Sequence, residues 1–480
     1  MPGGASHVRN LPELRPHAQF LCLALITAAA FALRIFHLTS RGLTLDESLS
    51  VHLCRTTATD FVTTVRGSEL NMVLYYALLR CWMSIGHSEF VIRLLPVLLA
   101  TATVPAVYFV AKRLFSDTWT ALSASLLLAV HPFHLILSQR ARAYSLVILL
   151  VTLASLFFVR GLQDPSCGNW LAYAAFSAAA VYSHFLALLV IFAHAVALFF
   201  VPKHRVPWKK LAVGIALLIA LLVPAAIFLV HHGDPGHVAW VASLNRQQIL
   251  DGLYSLTLSK RRSLTYMVMW ILTVTAAVRL SGEAAWPYRF TAIWLFVPVI
   301  VTLVISLRRP LFVERYLSVC IPASVLLVAA GIVTLTRWTR AAGVAMLVLA
   351  VFYSASNIRH YIRHPEYDEN WREASAYLLS HAQPGDEVVM LPGQGSYPFE
   401  YYREVNARKL PDLLLAYSAA APLPTPPPES VWFIGSVLLT PNWATEAEAF
   451  FQLHKQSYCA EPPQPESGTV KVWHFRRCHV

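Results

Sequence analysis

About eleven long apolar runs fill the first three quarters of this chain, near 18–38, 89–111, 118–137, 143–159, 170–184, 185–202, 211–230, 264–280, 289–306, 316–335 and 341–358. Each approaches the roughly 17–25 apolar residues that carry a helix across the hydrocarbon of a bilayer. Hydrocarbon offers no partner to a backbone amide, so such runs must fold as helices that close their own hydrogen bonds. The stretch 170–202 holds two of them, divided at Tyr182-Ser183-His184. Composition agrees: 56% of the 480 residues are hydrophobic and 13% are charged, too few charges to clothe a soluble protein of this size. No small-residue cleavage site follows the first run, which is therefore expected to be a retained span.

Basic residues set the expected sidedness. With the N-terminus cytoplasmic, the inward loops carry Lys112-Arg113, Arg160, Lys203, Arg205, Lys209, Lys210, Arg279, Arg337 and Arg340, as the positive-inside rule requires. Segment 70–86 is apolar but short and contains Arg80, and counting it as a span would invert every later loop. Residues 39–88 are thus read as one outer loop with two helices lying along the interface. This divides the chain into a transmembrane domain, 1–358, and an outward-facing tail, 359–480.

The tail is a different material. It carries 10 Lys and Arg against 14 Asp and Glu, leaving 28 against 12 for the membrane part. A helix is expected over 369–382, a turn at Pro384-Gly385-Asp386, strands at EVVML, 431–436 and 470–475, and a helix over 443–454. That alternation predicts a small α/β domain, with a stiff Pro-rich connection at 421–430. The basic excess of the membrane part reflects topology and anionic head groups, not nucleic acid. Among the seven scattered cysteines, Cys459 and Cys478 both fall in the tail and could pair in an oxidising compartment.

Chemistry is expected where charge sits against topology. Asp46-Glu47, in LTLDESLS (43–50), places two carboxylates just beyond the first span, where charge is costly to hold near hydrocarbon. Arg140 and Arg142 in SQRARAYS (138–145) fall on the outer side, as do Arg308, Arg309 and Arg315 in RRPLFVERYL (308–317), and Arg93 lies about a turn inside its span. Outward arginines suit an anionic ligand, since guanidinium holds phosphate bidentately and keeps its charge. Snorkelling to head groups, or pairing with Asp46, Glu47, Glu69, Glu89 or Glu314, is the alternative.

In their order, LTLDESLS, LNMVLYY, SEFVIRLLP, SQRARAYS, YSHF and RRPLFVERYL, with NWREASAYL…PGDEVVML in the tail, these segments resemble the C-type (GT-C) membrane glycosyltransferases. The likeness is to the group of protein mannosyltransferases and the bacterial lipid A aminoarabinose transferase. The resemblance implies an outward-facing cavity, a polyprenyl-phosphate sugar donor and inversion at the anomeric carbon. It puts Asp46 in the place of the catalytic aspartate with Glu47 beside it, Arg93 on an arginine of the second span, and Arg315-Tyr316 near the donor phosphate. Asn71-Met72-Val73-Leu74-Tyr75-Tyr76 departs from the His-Pro-Pro-Leu-Tyr-Tyr of many relatives, and the lysine of the lipid A enzyme has no equivalent here.

Sugar transfer needs a base for the acceptor proton and positive charge for the leaving phosphate. Asp46 is the candidate base, although either carboxylate could simply cap a helix beginning near Ser48. Arg93, Arg140, Arg142, Arg308, Arg309, Arg315 and Tyr316 are the candidate phosphate ligands, with Glu69, Tyr144 and His184 as weaker cavity residues. No cofactor is obligatory: a divalent cation could be held by Asp46, Glu47 and Glu69, but so many arginines make it dispensable. The expected partners are the lipid-linked donor, a lipid, polysaccharide or protein acceptor, and membrane lipids, in a bacterial inner membrane with the tail periplasmic. A lipid-linked sugar transporter is the rival reading; it calls for polar residues spread through mid-membrane, whereas these gather at one face. A catalytically silent scaffold is a third.

Overall fold

In the computed structural model of the chain, residues 12–232, 244–257, 264–280, 282–309, 311–364, 369–405, 413–416, 425–436, 443–464 and 468–478 are described. The start of the Pro-rich connection at 421–430 lies outside them. The chain forms two compact units. One gathers the chain up to Phe36, Ala58–Trp82 and Arg93–His360; the other gathers His37–Thr57, Met83–Ile92 and the chain from Tyr361 onward. Two stretches of the first outer loop therefore fold with the tail.

In chain order the helices begin with α1 (Pro16–Ile35), α2 (Leu45–Arg55), α3 (Ala58–Thr64), α4 (Val73–Trp82), α5 (Glu89–Phe115), α6 (Thr118–Ala129) and α7 (Pro132–Ser138). There follow α8 (Tyr144–Gln163), α9 (Cys167–Ser183), α10 (Ala187–Leu198), α11 (Trp208–His232), α12 (Arg246–Ser255), α13 (Leu264–Arg279), α14 (Trp286–Ser306), α15 (Ile321–Trp338) and α16 (Arg340–Arg363). The tail adds α17 (Trp371–His381), α18 (Ser396–Val405), α19 (Trp443–His454) and strands β1 (Glu387–Leu391), β2 (Leu414–Ala416), β3 (Ser430–Ser436), β4 (Tyr458–Ala460) and β5 (Val470–Arg477).

This is a multi-pass membrane protein of helical fold. Among the described residues seven helical segments are long and apolar enough to cross a membrane, or eight counting α6 and α7, which meet at a 57° bend. Every expected apolar run carries helix, but α9, α10 and α13 have 17, 12 and 16 residues. At 1.5 Å per residue, twelve residues reach only about 18 Å. In the first outer loop three short helices form in place of the expected two, and the ten residues of α4 are likewise too few to cross.

The first unit is built around α15: 83% of its apolar window is buried, against 17% for α1 and α11. Large apolar side chains such as Phe20, Leu25, Ile219, Val230, Val348 and Phe352 are exposed. Placed on long helices, they form surfaces suited to lipid. Trp170 anchors a tight corner: a Cβ at Gly161 would lie 2.7 Å from its ring, and one at Gly214 2.8 Å from its carbonyl oxygen. The α6–α7 break has a local cause. Pro132 occupies the first helical position of α7 and His131 caps it, taking the His134 amide at 3.3 Å on Nδ1. At the end of α6 Arg34, a fully buried residue of α1, donates to the Ala129 carbonyl at 3.1 Å and to the Leu128 carbonyl at 3.3 Å, which also takes the His131 amide at 3.2 Å, and it meets His134 Nδ1 at 2.8 Å.

In the second unit the sheet runs β2-β1-β3-β5-β4, with β1 parallel to β2 and β3, and β5 antiparallel to β3 and β4. Val389, Val431, Phe433 and Phe475 join Ala447 and Phe450 of α19 in one core. On β3 and β5, Trp432 stacks on its cross-strand neighbour His474 at 3.6 Å, and its Nε1 donates to Asp386 at 2.9 Å. Cys459 and Cys478 form a disulfide. The helix over 443–454 and the strand EVVML form where expected; α18, β2 and β4 are additions.

Candidate active site

The acidic pair lies in the first turn of α2, not on an extended segment before it. Thr44 starts the helix: its hydroxyl accepts the Glu47 amide at 3.4 Å, while Glu47 Oε2 takes the Thr44 amide at 3.0 Å and hydroxyl at 3.1 Å. This is a reciprocal capping box. It buries Glu47 completely and leaves Asp46, at the second helical position, half-buried. A helical turn separates the two side chains by about 100°. Glu47 thereby holds the helix end.

In the first unit, three separate elements bring basic and aromatic side chains together. His184 sits at the break between α9 and α10, buried, with its ring 6.0 Å from that of Tyr144 at the start of α8 and 5.4 Å from that of Tyr316. Tyr316 and Arg315 belong to the tight 3₁₀ turn Glu314–Cys320 that leads into α15. Arg142 is buried just before α8, and both Arg142 and Arg315 lie close enough for their charges to bear on the imidazole. His184 Nδ1 accepts the Leu186 amide at 3.3 Å, which leaves the ring proton of a neutral imidazole on Nε2. Nε2 is buried with no hydrogen-bond partner among the described residues. The arrangement is a buried donor within the field of two guanidinium groups, chemistry suited to an anionic oxygen.

The remaining candidates are placed less uniformly. Arg140 is half-buried one residue before Ala141, its carbonyl taking the Arg142 amide at 2.7 Å. Arg93 is buried in α5, while Arg308 and Arg309 are exposed beyond α14. Glu69 accepts the Tyr76 hydroxyl at 3.1 Å. Asn71, which stands where relatives have histidine, takes the Phe185 amide at 2.8 Å. It therefore pins the very break that carries His184, a role its short amide side chain and loop position could have suggested. Arg34 was missed altogether, although a lone arginine inside an apolar run is its signal. Among the described residues no three His, Cys, Asp or Glu side chains gather as a metal site requires.

Residues 72–229 match the family of dolichyl-phosphate-mannose-protein mannosyltransferases. In solved structures, the fold is that of ArnT from Cupriavidus metallidurans, at TM-score 0.63 and 13% identity over 95% of this chain and 98% of that one. The same enzyme bound to undecaprenyl phosphate matches at 0.62 and 14% identity, over 94% and 97%. AglB, the oligosaccharyltransferase of Archaeoglobus fulgidus, in complex with an inhibitory peptide and a dolichol-phosphate, matches at 0.58 and 11% identity, over 96% and 74%. The fold is that of the GT-C glycosyltransferases. No curated protein sequence matches the chain. Along the chain the family match takes in Arg93, Arg140, Arg142, Tyr144 and His184, and leaves out Asp46, Glu47, Glu69, Arg308, Arg309, Arg315 and Tyr316.

Proposed function

We propose that this GT-C protein transfers a sugar from a polyprenyl-phosphate carrier to an acceptor hydroxyl. The observation that carries the reading is the unpartnered Nε2 of His184, buried beside Arg142 and Arg315 and ringed by Tyr144 and Tyr316. A leaving phosphate gains charge as the glycosidic bond breaks, and preformed donors in a dry site stabilise that charge more than they stabilise the ground state. Asp46 is the base. Its carboxylate takes the acceptor proton as the acceptor oxygen bonds to the anomeric carbon, while the bond from that carbon to the phosphate oxygen breaks and the lipid phosphate departs with the electron pair. One displacement of this kind inverts the anomeric centre. No nucleotide or metal is needed for the step.

The N-terminus is assigned to the cytoplasm and the tail to the periplasm of a bacterial inner membrane, which the basic inward loops and the Cys459–Cys478 disulfide support. The acceptor is a lipid, a polysaccharide or a protein. The test reconstitutes purified protein with labelled polyprenyl-phosphate sugars and a membrane extract. Label is expected to move to an acceptor, to fall at least 100-fold with Asp46→Asn, and to fall about 10- to 100-fold with His184→Phe or Arg142→Met. Label that crosses the bilayer without transfer would instead establish a transporter.

A further inference from the structure

The helix carrying Asp46 is held by the tail. Leu45, its first residue, donates its amide to Glu369 Oε2 at 2.9 Å, and Glu369 is fixed in turn by Trp371 Nε1 at 2.7 Å. Two residues earlier the Leu43 amide donates to the Tyr402 hydroxyl at 2.5 Å, and that hydroxyl donates to Glu89 Oε1 at 2.6 Å. Glu89 also takes an ion pair from Arg372, whose guanidinium reaches the carbonyls of Thr39 at 3.0 Å and Arg41 at 2.9 Å. Between these anchors Gly42 packs so closely that a Cβ there would lie 3.0 Å from the Tyr402 hydroxyl and 3.1 Å from Arg372 Cβ. Burial first, and then the charge of Glu89, push the Tyr402 phenol far up, so it remains a donor at every physiological pH.

Backbone groups of Thr39, Arg41, Leu43 and Leu45 are thus spoken for by side chains 320 and more residues away in sequence. Such a clamp exceeds what is needed to dock a surface domain, because it acts on the peptide groups that lead into one helix turn. We infer that Glu369, Arg372 and Tyr402, with Glu89, are positioning residues that set the place of Asp46, and that the tail is thereby part of the catalytic apparatus. The inference rests on the proposed function. A base displaced by about 1 Å loses on the order of 100-fold in rate while binding survives.

The test measures transfer by full-length reconstituted protein carrying Tyr402→Phe, Glu369→Gln or Arg372→Lys. Turnover is expected to fall about 10- to 100-fold with KM for the donor within about twofold of wild type. In the Asp46→Asn background, where no base remains to be positioned, the same changes are expected to add less than about twofold. Glu461→Gln, which removes the charge from the hydrogen bond to His474 on the sheet, alters the same unit elsewhere and is expected to leave turnover at the wild-type level. Should Arg372→Lys fail to fold, Tyr402→Phe removes a single oxygen and still decides the matter. Wild-type turnover in folded Tyr402→Phe and Glu369→Gln, losses additive with Asp46→Asn, or losses in donor KM alone would each overturn the inference. A wild-type protein that transfers no sugar would instead bring down the proposed function itself.

Discussion

The carboxylates of Asp46 and Glu47 are adjacent in sequence and differ in setting because one hydroxyl, that of Thr44, starts the helix at Leu45. The signal was present as Thr44-x-x-Glu47, the spacing of a capping box, but a helix begun near Ser48 hides it. Thr44→Ala removes the cap and is expected to lower stability by about 0.5–2 kcal/mol, read by thermal unfolding in detergent. Glu47→Gln keeps the shape of the box and is expected to cost far less transfer than Asp46→Asn, a comparison that separates cap from base in one assay. A second carboxyl behaves differently. Glu387 opens β1 with Oε2 buried and without a hydrogen-bond partner among the described residues, and burial raises its pKa. The folded form then prefers the proton, so this group's contribution to stability is complete below its ordinary pKa and is lost as pH rises through the raised one. Glu387→Gln is expected to raise the melting temperature at pH 7 and to flatten its decline between acid and neutral pH. An unchanged melting profile would show that the charge is solvated.

At the level of elements, hydropathy located the apolar helices because the bilayer tolerates so few alternatives, and short apolar runs with turn signals located β1, β3 and β5 and left α19 between them. It could not see how helices are interrupted. The α6–α7 break follows from His131-Pro132, which is legible, and from Arg34, which lies about 95 residues earlier and is not. Contacts of that separation leave no local trace. The same limit hid the meeting of Tyr144, His184 and Tyr316, three aromatic residues from distant runs whose outward placement alone was readable. Arg34→Met takes the guanidinium donor from the Ala129 carbonyl, while the Leu128 carbonyl keeps the His131 amide at 3.2 Å. Each unsatisfied buried group costs about 1–3 kcal/mol, so the variant is expected to unfold at markedly lower temperature, with a larger loss than Arg308→Met at an exposed position. Equal melting of the two variants would mean that water or lipid head groups replace the guanidinium.

For the whole molecule, one decision governs the rest: whether segment 70–86 crosses the membrane. Its charge-based exclusion keeps Lys112-Arg113 inside, and with them every later basic loop. The short helices α3 and α4 agree with that exclusion because neither reaches across a bilayer of about 30 Å. On the proposed sidedness the tail faces the oxidising side, where Cys459 and Cys478, separated by 19 residues, would stay paired. A link of that span contributes about 3 kcal/mol by restricting the unfolded chain. Two consequences can be checked in cells and the spheroplasts made from them. A reporter active only in the periplasm, fused after Val480, is expected to be active, whereas fused after Arg113 it is expected to be silent. Without reductant, a membrane-impermeant thiol reagent is expected to leave Cys459 and Cys478 unlabelled in intact spheroplasts. Labelling should appear once a reductant that cannot enter the cell is added. Labelling that instead requires permeabilised membranes would place the tail inside, reverse the arginine-rich face, and remove the physical case for a periplasmic donor.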